Sequence, residues 1–272
     1  MHDLLKVTLK SVMPPALLRA LRPKRRHADV WGGARYGLRG LHLPGGRRFI
    51  YRPSTADRMV CEQIFFSRDY ATDHLARAKE IGDFYETCPD PIIVDAGANM
   101  GAAAVWFALT YPKAKVLAVE PDAANYGLLT RNAASFPSVV PLNAAIAAHS
   151  GTLYLNDPGV GAWGYRTAEQ PGERSNAVEA MTLEQVLAKS SGTPFILKID
   201  IEGAESDLFS RHAAELDQFP LVIIELHDWM LPRESSSLNF LKWHVEMKRD
   251  FVNYGENVFS ISNTINAGST RS

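Results

Sequence analysis

The sequence predicts an α/β fold: a doubly wound, mainly parallel sheet with a C-terminal antiparallel hairpin and an N-terminal helical and hairpin extension. Three observations predict it. From Pro91 onward, short apolar runs of strand length alternate with helical runs, the pattern of stacked β-α units. The first unit, "IIVDAGANMGAAAVWFAL" at 92–109, holds a strand, a glycine turn and a helix. Near the end, "FVNYGENVFSIS" holds two strand-like halves around Gly255, a turn signal.

The front of the chain, residues 1–90, is read as a basic extension that caps the mouth of a main domain at 91–272. Of the 29 Lys and Arg residues, 13 precede Met59, and only Asp3, Asp29 and Asp57 oppose them. A basic front on an acidic body suits an anionic contact, either a membrane surface or an acidic substrate. In residues 1–26, Leu5, Leu9 and Val12, then Leu17, Leu18 and Leu21, recur at helical spacing, interrupted by Pro14 and Pro15 and closed by a basic cluster. Two readings stand: an interfacial helix on anionic lipid, or an amphipathic helix packed on the body or on a partner subunit. No uncharged centre with a small-residue cleavage site marks a signal peptide, and no apolar run reaches the roughly 18 residues of a spanning helix. A cytoplasmic location is expected, with peripheral contact at the inner membrane face under the first reading. "GGARYGLRGLHLPGGRRFIYRP" suggests a hairpin, and residues 54–86 helical segments with Ser54 or Asp57 as N-cap. Cys61 and Cys88 have no metal or redox spacing and read as buried thiols of a reducing compartment.

In the main domain the expected order is strand 92–96, helix 100–110, strand 115–120, helix 122–134, strand 138–146 and a short strand 151–155. A loop rich in glycine and aromatics follows, with Trp163, Tyr165 and Arg166 as a lid or substrate wall. Next come strand 177–181, a helix capped by Thr182, a strand and turn at 195–203, helix 204–213 and strand 221–226. A helix near 236–250 precedes the hairpin, and the tail from Asn263 reads as polar and loose. In such sheets ligands bind where loops leave the carboxyl ends of the strands.

Those strand ends carry acids. Asp95 ends the first strand, Gly97 lies in the turn and Gly101 opens the helix. Glycines admit a ligand to the backbone, and the helix start offers free N–H groups. Yet G-x-G-x-x-G and G-x-x-x-x-G-K-[ST] are both absent. A carboxylate at the turn repels a pyrophosphate and attracts a sulfonium or ammonium group. Glu120 ends the next strand, placed to accept both hydroxyls of a ribose, and Pro121 opens the following helix. Turn acid, glycine turn and second-strand acid together point to S-adenosylmethionine.

The stretches "VDAGANMGAAA", "VLAVEPDAANYGLL", "TLEQVL", "ILKIDIEGAESDLF" and "LVIIELH" resemble, in order and spacing, the FkbM family of S-adenosylmethionine-dependent methyltransferases. The resemblance covers about Pro91 to His227 and extends more weakly over "YRPSTADRMVCEQIFFSRDY". It implies a Rossmann-like methyltransferase fold for 91–272 and O-methylation of a sugar, polyketide or other secondary-metabolite or glycan hydroxyl. By the same resemblance, Asp95, Gly97, Asn99 and Gly101 match the cofactor turn, Glu120 the ribose acid, and Ala144 to Ala147, with Ala145 at the centre, the adenine segment. Many relatives have a polar or acidic residue there, so adenine recognition in "NAAIAAHSG" is expected to be apolar and backbone-mediated.

"KIDIEGAE" ends a strand with Lys198, Asp200, Glu202 and Glu205. If the extended conformation persists, Lys198, Asp200 and Glu202 share one side. Either Lys198 pairs with an acid to stabilise the sheet end, or these groups serve the reaction; Asp200 and Glu202 are expected to face the transferred methyl and the acceptor. "ELHDW" places Glu225 and His227 on one side of the next strand end, and His227 is the expected general base. The adopted reading is metal-free; a magnesium ion, if held, would take Asp200, Glu202 and Glu225. Two rivals come from other classes. A nicotinamide-dependent oxidoreductase lacks its glycine fingerprint and a Tyr-x-x-x-Lys pair, and a non-catalytic membrane-associated module would not need the intact acid trio. Nucleic acid is not an expected partner, because the basic residues lie away from the acidic half and no Asn/Asp-Pro-Pro-aromatic loop occurs.

Overall fold

The structure, a computed structural model, describes residues 38–53, 56–156, 166–168, 170–171, 175–202, 204–211 and 213–265. The expected helix at 1–26, Ser54, Trp163, Tyr165 and the tail beyond Ile265 lie outside the described residues, and of Arg166 only the backbone is described. Two compact units divide the chain, Met1–Ser67 and Arg68–Ser272. Residues 68–90, expected in the front segment, therefore group with the sheet.

In the first unit β1 (Arg39–His42) pairs antiparallel with β2 (Arg48–Tyr51), the expected hairpin, with Pro44–Gly46 in the turn. Phe49 is buried and meets Phe65 edge-on, ring centroids 5.2 Å apart. Helix α1 (Asp57–Cys61) runs into a π-turn ending at Ser67. Asp57 does not cap it. Its carboxylate accepts instead from the Arg52 backbone N–H (2.8 Å) and Nε (2.9 Å).

The second unit begins with α2 (Ala78–Thr87) and then enters the alternation: β3 (Pro91–Ala96), α3 (Ala102–Thr110), β4 (Lys115–Val119), α4 (Ala123–Ala133) and β5 (Val139–Leu142). A detour follows through β6 (Ala145–Ile146), β7 (Gly151–Asn156), β8 (Arg166–Ala168) and β9 (Ser175–Met181). The alternation resumes with α5 (Leu183–Leu187), β10 (Thr193–Ile199), α6 (Glu205–Leu208), α7 (Ala213–Asp217) and β11 (Leu221–Glu225). Helix α8 (Leu238–Glu246) and the hairpin β12 (Asp250–Tyr254) and β13 (Asn257–Ile261) complete it.

Seven strands form the main sheet in the order β12-β13-β11-β10-β3-β4-β5, with β13 antiparallel to both neighbours and the rest parallel. This is the Rossmann-like methyltransferase arrangement. Every residue of β3 is buried, as a central parallel strand requires. Alternate residues Ile92, Val94 and Ala96 join Leu117, Leu197, Val222 and Phe240 in one core face. The order reverses beside β3, between β4 and β10, so the crevice above β3 is where a ligand belongs.

Three expectations are corrected. Residues 138–146 are not one strand: the chain leaves the main sheet after Leu142, and β6 joins a separate four-stranded sheet, β6-β9-β7-β8. Pro141 lacks an N–H for a ladder, and Asn143 Nδ2 turns back to donate to the Glu120 carbonyl (2.9 Å). Part of the expected loop after β7 is strand, with Arg166–Ala168 paired to β7. The helix at 204–213 is two short helices, separated at a turn near Arg211. Thr182 does cap α5, in a reciprocal capping box with Gln185. Gly82 lies inside α2, where an added side-chain carbon would meet nothing within 4 Å. Gly82→Ala is therefore expected to stabilise by about 0.5–1 kcal/mol, raising the thermal midpoint by roughly 1–4 °C in a dichroism melt.

Candidate active site

Three residues of the β3–α3 turn are left-handed: Gly97 (φ 75°), Asn99 (φ 50°) and Gly101 (φ 86°). The Gly97 and Ala98 N–H groups both donate to the Val119 carbonyl (3.0 and 2.9 Å). On the other side, a side chain at Gly97 would overlap the Asp200 carbonyl oxygen. The turn is thus wedged between the ends of β4 and β10, where only glycine fits. Gly101 packs on Leu129, serving the turn's shape rather than facing the cavity.

Glu120 stands at the end of β4 with both oxygens engaged. Asn99 N–H donates to Oε2 (2.8 Å) and Asp122 N–H to Oε1 (2.9 Å). Burial pushes its carboxyl up to about 7, against the pull of those two N–H groups. Each oxygen keeps lone-pair capacity for a further donor. Glu120 lines an open cavity with Gly97, Asn99, Asn125, Asp200 and Glu202 as its polar wall. Its apolar wall is Val119, Pro121, Ala145, Ile146, Leu155 and Ile201. Of the segment 144–147, Ala145 and Ile146 line it, both with apolar side chains.

Asp95 does not reach that cavity. It is fully buried beneath the turn (0% exposed), opposite Lys198 in the β3–β10 register. Lys198 Nζ lies 3.1 Å from Asp95 Oδ1 and 3.6 Å from Asp200 Oδ2, and donates to the Gly97 carbonyl (2.7 Å). Burial opposes the charge on Lys198, but Asp95, Tyr70 and Asp200 outweigh it and raise its pKa. Burial in turn raises the Asp95 carboxyl, against the pull of Lys198. Lys198, 3% exposed, is a clamp between the turn and Asp200 rather than a group open to an acceptor.

The strand ends beyond the cavity converge on His227. β10 stops at Ile199 and β11 at Glu225, so the shared face expected from strand alternation is made by turns instead. Glu202 is itself left-handed (φ 54°). Nε2 of His227 faces Asp200 Oδ1 at 3.6 Å, Glu225 Oε1 at 3.6 Å and Glu202 Oε2 at 3.8 Å. Its Nδ1 donates to Glu205 Oε1 at 2.8 Å. Burial works against the imidazolium, but the Glu205 hydrogen bond and the charges of Glu205, Asp200 and Glu202 lift the ring's pKa to about 9. A ring held toward the imidazolium takes up an acceptor's proton only in its neutral minority. Burial, then Asp200, pushes Glu202 and Glu225 up to about 7.

Sequence reasoning assigned no role to Glu205, which fixes the His227 ring, or to Leu155, which enters the cavity from the second sheet. The first had a signal in the second acid of "EGAE"; the second had none short of the tertiary fold.

The sequence profile of the methyltransferase FkbM domain matches residues 95–252, spanning both the turn and the acid cluster. The chain belongs to the FkbM methyltransferase family. Among curated relatives, methyltransferase sdnD of Sordaria araneosa is 31% identical over 181 residues, covering 54% of this chain and 68% of that protein. Hexuronic acid methyltransferase AglP of Haloferax volcanii is 26% identical over 151 residues, covering 55% of this chain and 61% of that one. A distant likeness joins the S-adenosylhomocysteine-bound methyltransferase PaMTH1 of Podospora anserina, at 10% identity and a TM-score of 0.39 over 96% of this chain and 94% of that one. Among the described residues, no helix of this FkbM-family methyltransferase is long and apolar enough to cross a membrane.

Proposed function

We propose that this methyltransferase uses S-adenosylmethionine to O-methylate a hydroxyl of a sugar, polyketide or other secondary-metabolite or glycan acceptor. One observation carries the reading: Glu120, fixed by two backbone N–H groups, opens onto a cavity that is apolar on one side and ends at Asp200 and Glu202 on the other. The residues fit the cofactor. Glu120 suits the ribose hydroxyls, Ala145, Ile146 and Leu155 an adenine face, and the glycine turn the amino-acid portion. Asp95 acts beneath that turn by holding Lys198, not by touching a sulfonium. The hexuronic acid relative favours a sugar acceptor.

When bound, the cofactor supplies a methyl group on a positively charged sulfur. What the chain contributes is alignment and a place for the acceptor's proton. Asp200 and Glu202 line the cavity end and orient the hydroxyl. Glu225, partly exposed and beside them, takes its proton. Lys198 holds Asp200 and the turn in one frame.

Two experiments test this. Glu120→Gln puts an amide where two N–H groups already point, so S-adenosylhomocysteine affinity is expected to fall at least 100-fold, about 2.7 kcal/mol, by calorimetry; unchanged affinity would remove Glu120 from the cofactor site. Glu225→Gln is expected to lower kcat on a sugar acceptor by about 100-fold or more while leaving S-adenosylhomocysteine binding alone. Full turnover in that variant would place the base elsewhere.

A further inference from the structure

The carboxylates around His227 outnumber the cations available to them. Asp200, Glu202, Glu225 and Glu205 all lie within 3.8 Å of one of its ring nitrogens. The nearby Lys198 is already engaged by Asp95 and the Gly97 carbonyl. Carboxylates gathered in a partly buried cluster repel one another unless a positive charge sits among them.

The geometry says where that charge belongs. One ligand atom each from Asp200, Glu202 and His227 lie within 4.8 Å of one another. Ligands sharing an ion through bonds of roughly 2.1–2.4 Å stand no more than about 4.2–4.8 Å apart. A second, independent observation points the same way. His227 is 2% exposed, yet its Nε2 makes no hydrogen bond among the described residues; it points at three carboxylate oxygens 3.6–3.8 Å away. Those distances are too long for hydrogen bonds and suit atoms arranged around a shared centre. The other nitrogen donates to Glu205, the carboxylate–histidine arrangement that orients a metal-binding imidazole and fixes its tautomer.

We propose that Asp200, Glu202 and His227 form the seat of a divalent cation of the magnesium or manganese class. His227 takes the place given to Glu225 in the sequence-based ligand set, and the metal-free reading gives way. Two carboxylates and one imidazole leave coordination positions open toward the cavity for water or an acceptor oxygen. On binding, the cation replaces the proton on Nε2, which leaves to solvent. The proposal rests on the methyltransferase reading and deepens it: the cation orients the acceptor hydroxyl and makes it more acidic. Glu225, outside the trio, remains to receive the proton.

The test titrates the full-length protein with Mn2+ followed by electron paramagnetic resonance, with S-adenosylhomocysteine calorimetry run in parallel. One Mn2+ per chain is expected. Asp200→Asn is expected to weaken it at least tenfold, and Glu205→Gln, which changes the partner of His227 Nδ1 and removes no ligand atom, by 10–100-fold. Glu202→Gln serves as a second ligand variant should Asp200→Asn fail to fold. If the wild-type protein leaves Mn2+ free, or if its binding ignores all three substitutions, the proposal is overturned and protonated His227 is itself the counter-charge. S-adenosylhomocysteine binding without Mn2+ binding defeats the cation alone. Mn2+ binding without S-adenosylhomocysteine binding leaves the cation in place and defeats the cofactor reading.

Discussion

Gly97→Ala is expected to cost the sheet unit roughly 4 kcal/mol or more. Two causes add. The position has φ 75°, where a side-chain carbon is strained. The added carbon would also overlap the Asp200 carbonyl oxygen, which is backbone and cannot swing aside. Costs of that size arise from a short list of mechanisms, and forced backbone displacement is among them. At 2–4 °C per kcal/mol for a domain of this size, the thermal midpoint is expected to fall by about 8–16 °C in a dichroism melt. A melt within two degrees of wild type would show that the turn and β10 are not in contact. Gly82→Ala, of opposite expected sign, is the control.

Lys198→Met is the second. The change keeps much of the side chain's volume but strands Asp95, which is wholly buried. Breaking one side of a buried pair typically costs about 3–5 kcal/mol, because the remaining charge stays desolvated. Urea unfolding should show that loss in the single variant. The double variant Asp95→Asn/Lys198→Met should recover much of it, since no buried charge is then left alone. Equal losses in the single and double variants would mean that Lys198 stabilises through packing rather than through Asp95.

The fold was legible because β-α alternation is written in local patterns. The buried runs of β3, β4, β10 and β11 and the cap at Thr182 each announce themselves within a few residues. The second sheet was not legible, because β6 continues β5 in composition and only Pro141 and Asn143 mark where the chain departs. Glu120 was readable, since its place after a strand fixes its direction. Asp95 and Lys198 were half readable: the residues are conspicuous, but which of them faces the cavity depends on register across two strands about 100 residues apart. His227 was seen as a base because its type suggests one, whereas its protonation is decided by Glu205, Asp200 and Glu202, brought together only by the turns after β10 and β11.

The lysine clamp also bears on how two occupants of the site influence each other. Lys198 holds the Gly97 carbonyl with a hydrogen bond and Asp200 by charge, while Gly97 itself abuts the Asp200 backbone. The proposed donor seat and acceptor seat therefore share one stretch of backbone. If S-adenosylhomocysteine in that seat alters acceptor affinity by some factor, acceptor must alter S-adenosylhomocysteine affinity by the same factor. How strongly the acceptor tightens or loosens the spent cofactor is then a measure of how rigidly one buried amine ties the two seats together.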